Sequence, residues 1–195
     1  MRHAVLLLLV APLATACSDA ANDPTAVTPE PALSALHDEF PARATGHWEF
    51  TPWFAEVAKY SANAIKAEDG SVTGQFQVRE VFDSETTTIL HGEVVCMTTF
   101  PDGTARVGGI VTNETGTDFG LAGTEAVWMI QDNGEGRKSP PDMATDIRYG
   151  YPAGSGAAQA FCDGWFFPTN PPFVMLPVER GNVQVHHAGE VALPG

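Results

Sequence analysis

Asp69-Gly70-Ser71-Val72-Thr73-Gly74-Gln75-Phe76-Gln77-Val78-Arg79 is the stretch that decides the fold class. Val72, Gly74, Phe76 and Val78 share one parity, and Thr73, Gln75, Gln77 and Arg79 share the other. Successive side chains of an extended chain point to opposite sides, so this is a strand with one covered and one wet face. Asp69-Gly70 just before it is a hairpin signal, because a tight turn needs the positive φ that glycine adopts without strain.

The same period extends outward in both directions. It begins near Trp48, is mixed from Trp53 to Ala67, and resumes over Thr87–Phe100 after a turn at Asp83–Glu85. There Leu90, Val94, Cys96 and Phe100 are expected on one face, with His91 and Glu93 opposite. Pro101-Asp102-Gly103 forms the next turn, since proline sets φ and glycine accepts the positive region. Thr104–Thr112 follows, then a strand through Ala126, Trp128 and Ile130 that ends at Asp132-Asn133-Gly134. A last strand, Pro177–His187, could pair back near the first. Strands joined by tight turns make an antiparallel meander. Gly74, Gly92, Gly108 and Gly109 inside strands point to bulges or bends that let it curl. The expected fold is all-β, a small antiparallel meander or barrel, with a two-sheet sandwich as the rival.

Composition agrees. Charged residues are only 17%, and 19 glycines and 15 prolines favour sheets joined by turns over helix bundles. The net charge of −14 repels phosphate backbones and excludes nucleic acid as an expected partner.

The first sixteen residues read as an export signal: Arg2 and His3, a short apolar run Ala4–Val10, then Ala14-Thr15-Ala16. A transmembrane helix takes roughly 20 apolar residues, so this run is too short to span. Leu13-Ala14-Thr15-Ala16-Cys17 resembles the bacterial lipobox, whose cysteine is lipidated and becomes the mature N-terminus. It departs in one respect: the bulky leucine lies one position further from the cysteine. Simple cleavage after Ala16 is the alternative. The resemblance implies attachment to the cell envelope through lipid, with the outer membrane favoured where there are two membranes, because Ser18 replaces the Asp that retains such proteins inside. Residues 18–46 carry Pro24, Pro29, Pro31 and Pro41 among Ala, Thr, Asp and Glu, a composition too polar to offset chain entropy. As a flexible coil they would span on the order of 30 Å. The expected organisation is a signal peptide over 1–16, a lipidated N-terminus and acidic tether over 17–46, one β-rich domain over 47–188, and a tail over 189–195.

With Cys17 assigned to lipid, Cys96 and Cys162 remain. An exported chain meets an oxidising compartment, so the two should bridge. The loop of about 66 residues that they close is worth about 4 kcal/mol in the chain-entropy picture. Two thiolates on zinc would need two further ligands at metal spacing, and no such spacing occurs. Cys162 lies in the stretch 134–173, which has no sustained period and is expected as a long loop pinned to the sheet.

The landmarks His91-Gly92-Glu93-Val94-Val95-Cys96, Val107-Gly108-Gly109-Ile110-Val111, Asp132-Asn133-Gly134-Glu135-Gly136, Pro140-Pro141-Asp142, Cys162 and Gly181-Asn182-Val183-Gln184-Val185 occur in that order. Together they resemble a group of small exported bacterial β domains of uncharacterised activity. The resemblance spans roughly 60–186 and implies fold and export, not chemistry.

Candidate sites are few. Asp132, Asn133, Glu135 and Asp142 gather hard oxygen ligands after a strand end, a calcium-like set, although they match no EF-hand loop. The competing reading is a turn in which these side chains bond local backbone N–H groups. Apart from Ca2+, no cofactor is expected. Trp48, Trp53, Trp128 and Trp165, with Tyr60, Tyr149 and Tyr151, are candidate walls of a small-ligand or sugar pocket, or else core, with Trp128, Tyr149, Tyr151 and Trp165 favoured. His91 and Glu93 share a strand face without a neighbouring nucleophile, and the adjacent His186 and His187 point to opposite faces of a strand. Asn113-Glu114-Thr115 matches a glycosylation sequon, taken here as chance. The leading expectation is a non-enzymatic envelope protein that binds or scaffolds a small molecule or envelope partner. A lipocalin-like carrier would need an open barrel cavity. A metal-assisted hydrolase would need Asp132, Glu135, His91 and Asp163 to converge in a cleft.

Overall fold

The computed structural model describes residues 41–136, 138–164 and 173–188. Cys17, the signal, nearly all of the tether and Trp165 lie outside the described residues. The elements are β1 (Ala42–Phe50), β2 (Val57–Lys66), β3 (Val72–Val81), β4 (Thr87–Thr99), β5 (Thr104–Gly116), β6 (Glu125–Gln131), β7 (Met143–Ala144), β8 (Arg148–Tyr151), α1 (Ala157–Cys162), β9 (Leu176–Pro177) and β10 (Arg180–His186).

All ten strands belong to one antiparallel sheet in the order β10-β1-β2-β3-β4-β5-β6-β7-β9, with β8 also on β6. The sheet curls into a half-barrel. The last strand does return to the first, with Val183 opposite Gly46 and Gly181 opposite Trp48. Two boundaries differ from the sequence reading. β1 begins at Ala42, inside the stretch read as tether, because Ala42 and Ala44 continue the buried parity of Trp48 and Phe50 with small side chains that composition does not flag. The stretch from 134 onward is not structureless: it holds β7, β8 and α1, each too short to show a period.

Trp48, Tyr60, Val78, Leu90, Val107, Trp128 and Ile130 meet in the concave interior, each at most 2% exposed. Burying side chains of this size stabilises by about 1.5–3 kcal/mol each. Phe76 packs its ring on Trp128 at 5.1 Å between centroids. Gly92 and Gly109 leave room for it: a Cβ on either would come within 2.2 and 2.6 Å of the Phe76 ring.

The register of β4 on β5 shifts between His91 and Gly92 and again between Val94 and Cys96. The second shift reverses parity, so Val94 and Met97 face the interior while Cys96 faces out. This corrects the expectation that Leu90, Val94 and Cys96 share a face; a bulge places two residues opposite one. On that outer side α1 covers the sheet, with Phe161, Ala158 and Val127 packed around the Cys96–Cys162 disulfide. Gly108 permits the close approach, since a Cβ there would lie 2.7 Å from the Cys96 sulfur. Glu125, only 5% exposed, holds the start of α1 by accepting the N–H groups of Gly156 and Ala158 at 3.0 and 2.7 Å.

Candidate functional site

The calcium-like residues do come together, around N–H donors. Asp142 Oδ1 accepts the Asn133 N–H, and Oδ2 accepts the Val183 N–H, both at 3.0 Å. Asp132 Oδ1 accepts from Gly134 at 2.7 Å and Oδ2 from Val185 at 3.1 Å. Glu135 Oε1 accepts the Asn182 side-chain amide at 3.1 Å, and the Asn133 amide donates to the Pro141 carbonyl. Val183 and Val185 belong to β10, whose other edge is paired to β1. The two aspartates thus occupy the amides that an exposed sheet edge would leave unpaired. Among the described residues no group of three His, Cys, Asp or Glu is placed to hold a metal.

The residues proposed for a hydrolase do not share a cleft. His91 is exposed opposite Gln77 and Asn113, and Asp163 accepts from Gln159 at the end of α1. Glu93 lies opposite Gln75, His186 opposite Arg43, and neither neighbours a nucleophile across the sheet. Asn113 is exposed on β5.

A groove of about 480 Å³ opens at the end of the sheet where β1 passes to β2 and β3 to β4. Five aromatic side chains line it: Trp53, Phe54, Phe82, Tyr149 and Tyr151. Glu80, Asp146 and Arg148 are its charged components. Trp53, Tyr149 and Tyr151 are therefore where a pocket was expected, while Trp48 and Tyr60 are buried in the core and do not line this groove. Trp128 does not either: it is fully buried in the core, and its indole N–H has no acceptor among the described residues. Trp165 lies outside the described residues.

Glu80 sits beneath this groove at 1% exposure. It follows Phe76 and Val78 on the inward parity of β3, so the strand itself drives a carboxylate into the interior. Tyr60 donates to Oε1 at 2.8 Å and Tyr149 to Oε2 at 2.5 Å. Burial pushes the Glu80 carboxyl above its ordinary range, against the pull of the two hydroxyls. Burial and the adjacent Glu80 raise the phenols of Tyr60 and Tyr149 in turn. Asp146 is also pushed up by burial, and Arg148, whose Nε lies 3.4 Å from Oδ1, pulls it partly back. The Arg148 guanidinium also lies 4.4 Å from the centre of the Phe173 ring.

The β1–β2 loop supplies Trp53 and Phe54, whose rings meet edge to face at 5.7 Å. Trp53 is 82% exposed. Phe82 is braced against Phe119 at 6.3 Å. Sequence reasoning missed Glu80, Asp146, Arg148, Phe54 and Phe82. One signal was available: a glutamate on the buried parity of the clearest strand, where a charge is costly unless it is partnered.

Compared with known proteins, the chain matches no family model, no curated protein and no solved structure.

Proposed function

We propose that this chain is an exported, lipid-anchored envelope protein whose β domain binds a small ligand in the loop-end groove without transforming it. The observation that carries the binding reading is the groove: five aromatic side chains beside a half-buried Asp146–Arg148 pair, on a domain whose interior is filled. Aromatic walls with a few convergent polar groups are the usual make-up of a small-ligand site. The filled interior favours this groove over a lipocalin-like lumen as the ligand's place. No serine, cysteine or histidine lines the groove among the described residues, which favours binding over nucleophilic chemistry.

The anchor reading rests on the lipobox-like Leu13-Ala14-Thr15-Ala16-Cys17. The strand order suits it. The chain enters the domain at Ala42, and the groove lies beyond Phe50 at the other end of the same nine-residue strand. At roughly 3.3 Å per residue those ends are about 30 Å apart. The point where the chain enters the described domain and the groove therefore lie at opposite ends of β1.

A fragment screen by NMR on the full chain, with the Trp53 indole resonance as reporter, should collect its hits in the groove. Trp53→Ala should remove them. Hits that bypass Trp53, or turnover of ester, phosphoester or glycoside substrates, would contradict this function. For the anchor, palmitate fed to expressing cells should label the wild-type chain and leave Cys17→Ser unlabelled; equal labelling of the two refutes it.

A further inference from the structure

We infer that the ligand of the loop-end groove is an organic cation, an ammonium group held between aromatic rings and the carboxylate of Asp146. The inference rests on the binding function proposed above and names the chemistry of its ligand.

Three observations converge. The rings of Trp53 and Phe54 stand at 86° to one another, so they form a corner that can turn more than one aromatic surface toward a single guest. Aromatic faces attract cations through the ring quadrupole, tryptophan most strongly. Trp53 is also the most exposed large apolar side chain among the described residues, at 82%.

Second, the charge around the groove is one-sided. Glu80 and Asp146 line it against the single cation Arg148. The loops over 51–56, 82–86 and 117–124 add Glu56, Asp83, Glu85 and Asp118 and contain no lysine or arginine. The chain as a whole carries −14, so both the local and the overall field draw cations in and repel anions.

Third, the neighbourhood already holds one cation in this way. Arg148 is held between the Phe173 ring at 4.4 Å and the Asp146 carboxylate at 3.4 Å. Asp146 has a second oxygen, Oδ2, and its side chain is 22% exposed, so one face of the carboxylate reaches the groove. A neutral sugar would use the aromatic walls equally well, but it would leave the excess negative charge unanswered.

The probes are choline and its neutral isostere 3,3-dimethylbutanol, which share shape and differ in charge. Each is titrated by NMR into the full-length chain in a non-ionic detergent, and into the Trp53→Ala and Asp146→Asn variants, with the backbone amides of Gly150 and Tyr151 in the groove as the reporter common to all three. Trp53 is exposed, and Asp146→Asn keeps the shape and one acceptor oxygen of the side chain; a melting curve for each variant checks that it folds before it is titrated. Choline should shift the Trp53 indole resonance, with the isostere weaker by about tenfold or more. Each substitution should weaken choline by a similar factor. Equal, Trp53-dependent binding of both probes would overturn the cation inference and leave the groove as a binding site. A choline affinity untouched by either substitution overturns the inference as well. No response of groove resonances to either probe overturns the inference, and an empty fragment screen beside it takes the binding function too.

Discussion

The carboxylates of Asp132 and Asp142 and those of Glu80 and Asp146 were placed by the same chain and serve different ends. Asp132 and Asp142 each accept two backbone N–H groups, and Glu125 does the same at the start of α1. Every acceptor oxygen of these three residues is used within the fold, where charge-assisted bonds to N–H are the strong kind. Glu80 also has one donor on each oxygen, but both are side-chain phenol hydroxyls, and Asp146 faces the Arg148 guanidinium. Both of the latter are raised by burial. What separates a clasp from a site is therefore not acidity or clustering but the kind of donor, backbone amides in one case and side chains in the other. A carboxylate saturated by backbone amides holds the sheet together, and one met by side chains beside an open groove, as Asp146 is, retains capacity for a guest.

Removing a clasp should have the largest effect. Asp142→Ala strands the N–H groups of Asn133 and Val183. Losing two bonds to a charged acceptor at a half-buried position should cost about 2–3 kcal/mol. For a domain of this size that lowers Tm by roughly 5–10 °C. Amide exchange at Val183 and Val185 should accelerate, because the outer edge of β10 opens. Asp142→Asn keeps one acceptor oxygen and should recover part of the loss. A melting curve for Asp142→Ala within about 1 °C of wild type would show that the aspartate does not close the edge.

The half-barrel was legible in the sequence because it rests on side-chain parity, a local property. The run from Val72 to Val78, the glycine-bearing turns and the return of the last strand to the first all follow from alternation and turn chemistry. The disulfide followed from counting and compartment, and it forms between Cys96 and Cys162 with Cα atoms 6.2 Å apart. Parity failed where a bulge intervened, as at Cys96, because one extra residue reverses every side chain after it. The groove was harder to read for a different reason. Its walls come from the β1–β2 loop, the β3–β4 loop and β8, separated by tens of residues and gathered only when the sheet curls. The turn from Asp132 to Asp142 was half legible: the bonds from the Asn133 and Gly134 N–H groups are the local ones the turn reading expected, and the donors that complete the set lie in β10, some forty residues downstream.

The smallest effect, and the sharpest test of the contrast, concerns Glu80. Its folded carboxyl titrates above the unfolded value because burial disfavours the charged form. A raised carboxylate makes the folded state bind its proton more tightly than the unfolded state does. The stability this contributes is fully present below the ordinary carboxylate range and is lost as pH rises through the raised value. Glu80→Gln keeps the shape and can still exchange hydrogen bonds with Tyr60 and Tyr149, but it cannot titrate. The difference in Tm between wild type and Glu80→Gln should therefore shift in favour of wild type as the pH is lowered from about 8 to about 4.5. Exposed turn carboxylates such as Asp83 and Asp102, held below their ordinary range by backbone N–H donors, act in the opposite direction. They are common to both proteins and cancel in the difference. A gap that stays flat, or that widens against wild type on acidification, would mean that phenol hydroxyls serve Glu80 as well as backbone amides serve the clasps, and the distinction between the two kinds of carboxylate would fail at its most buried member.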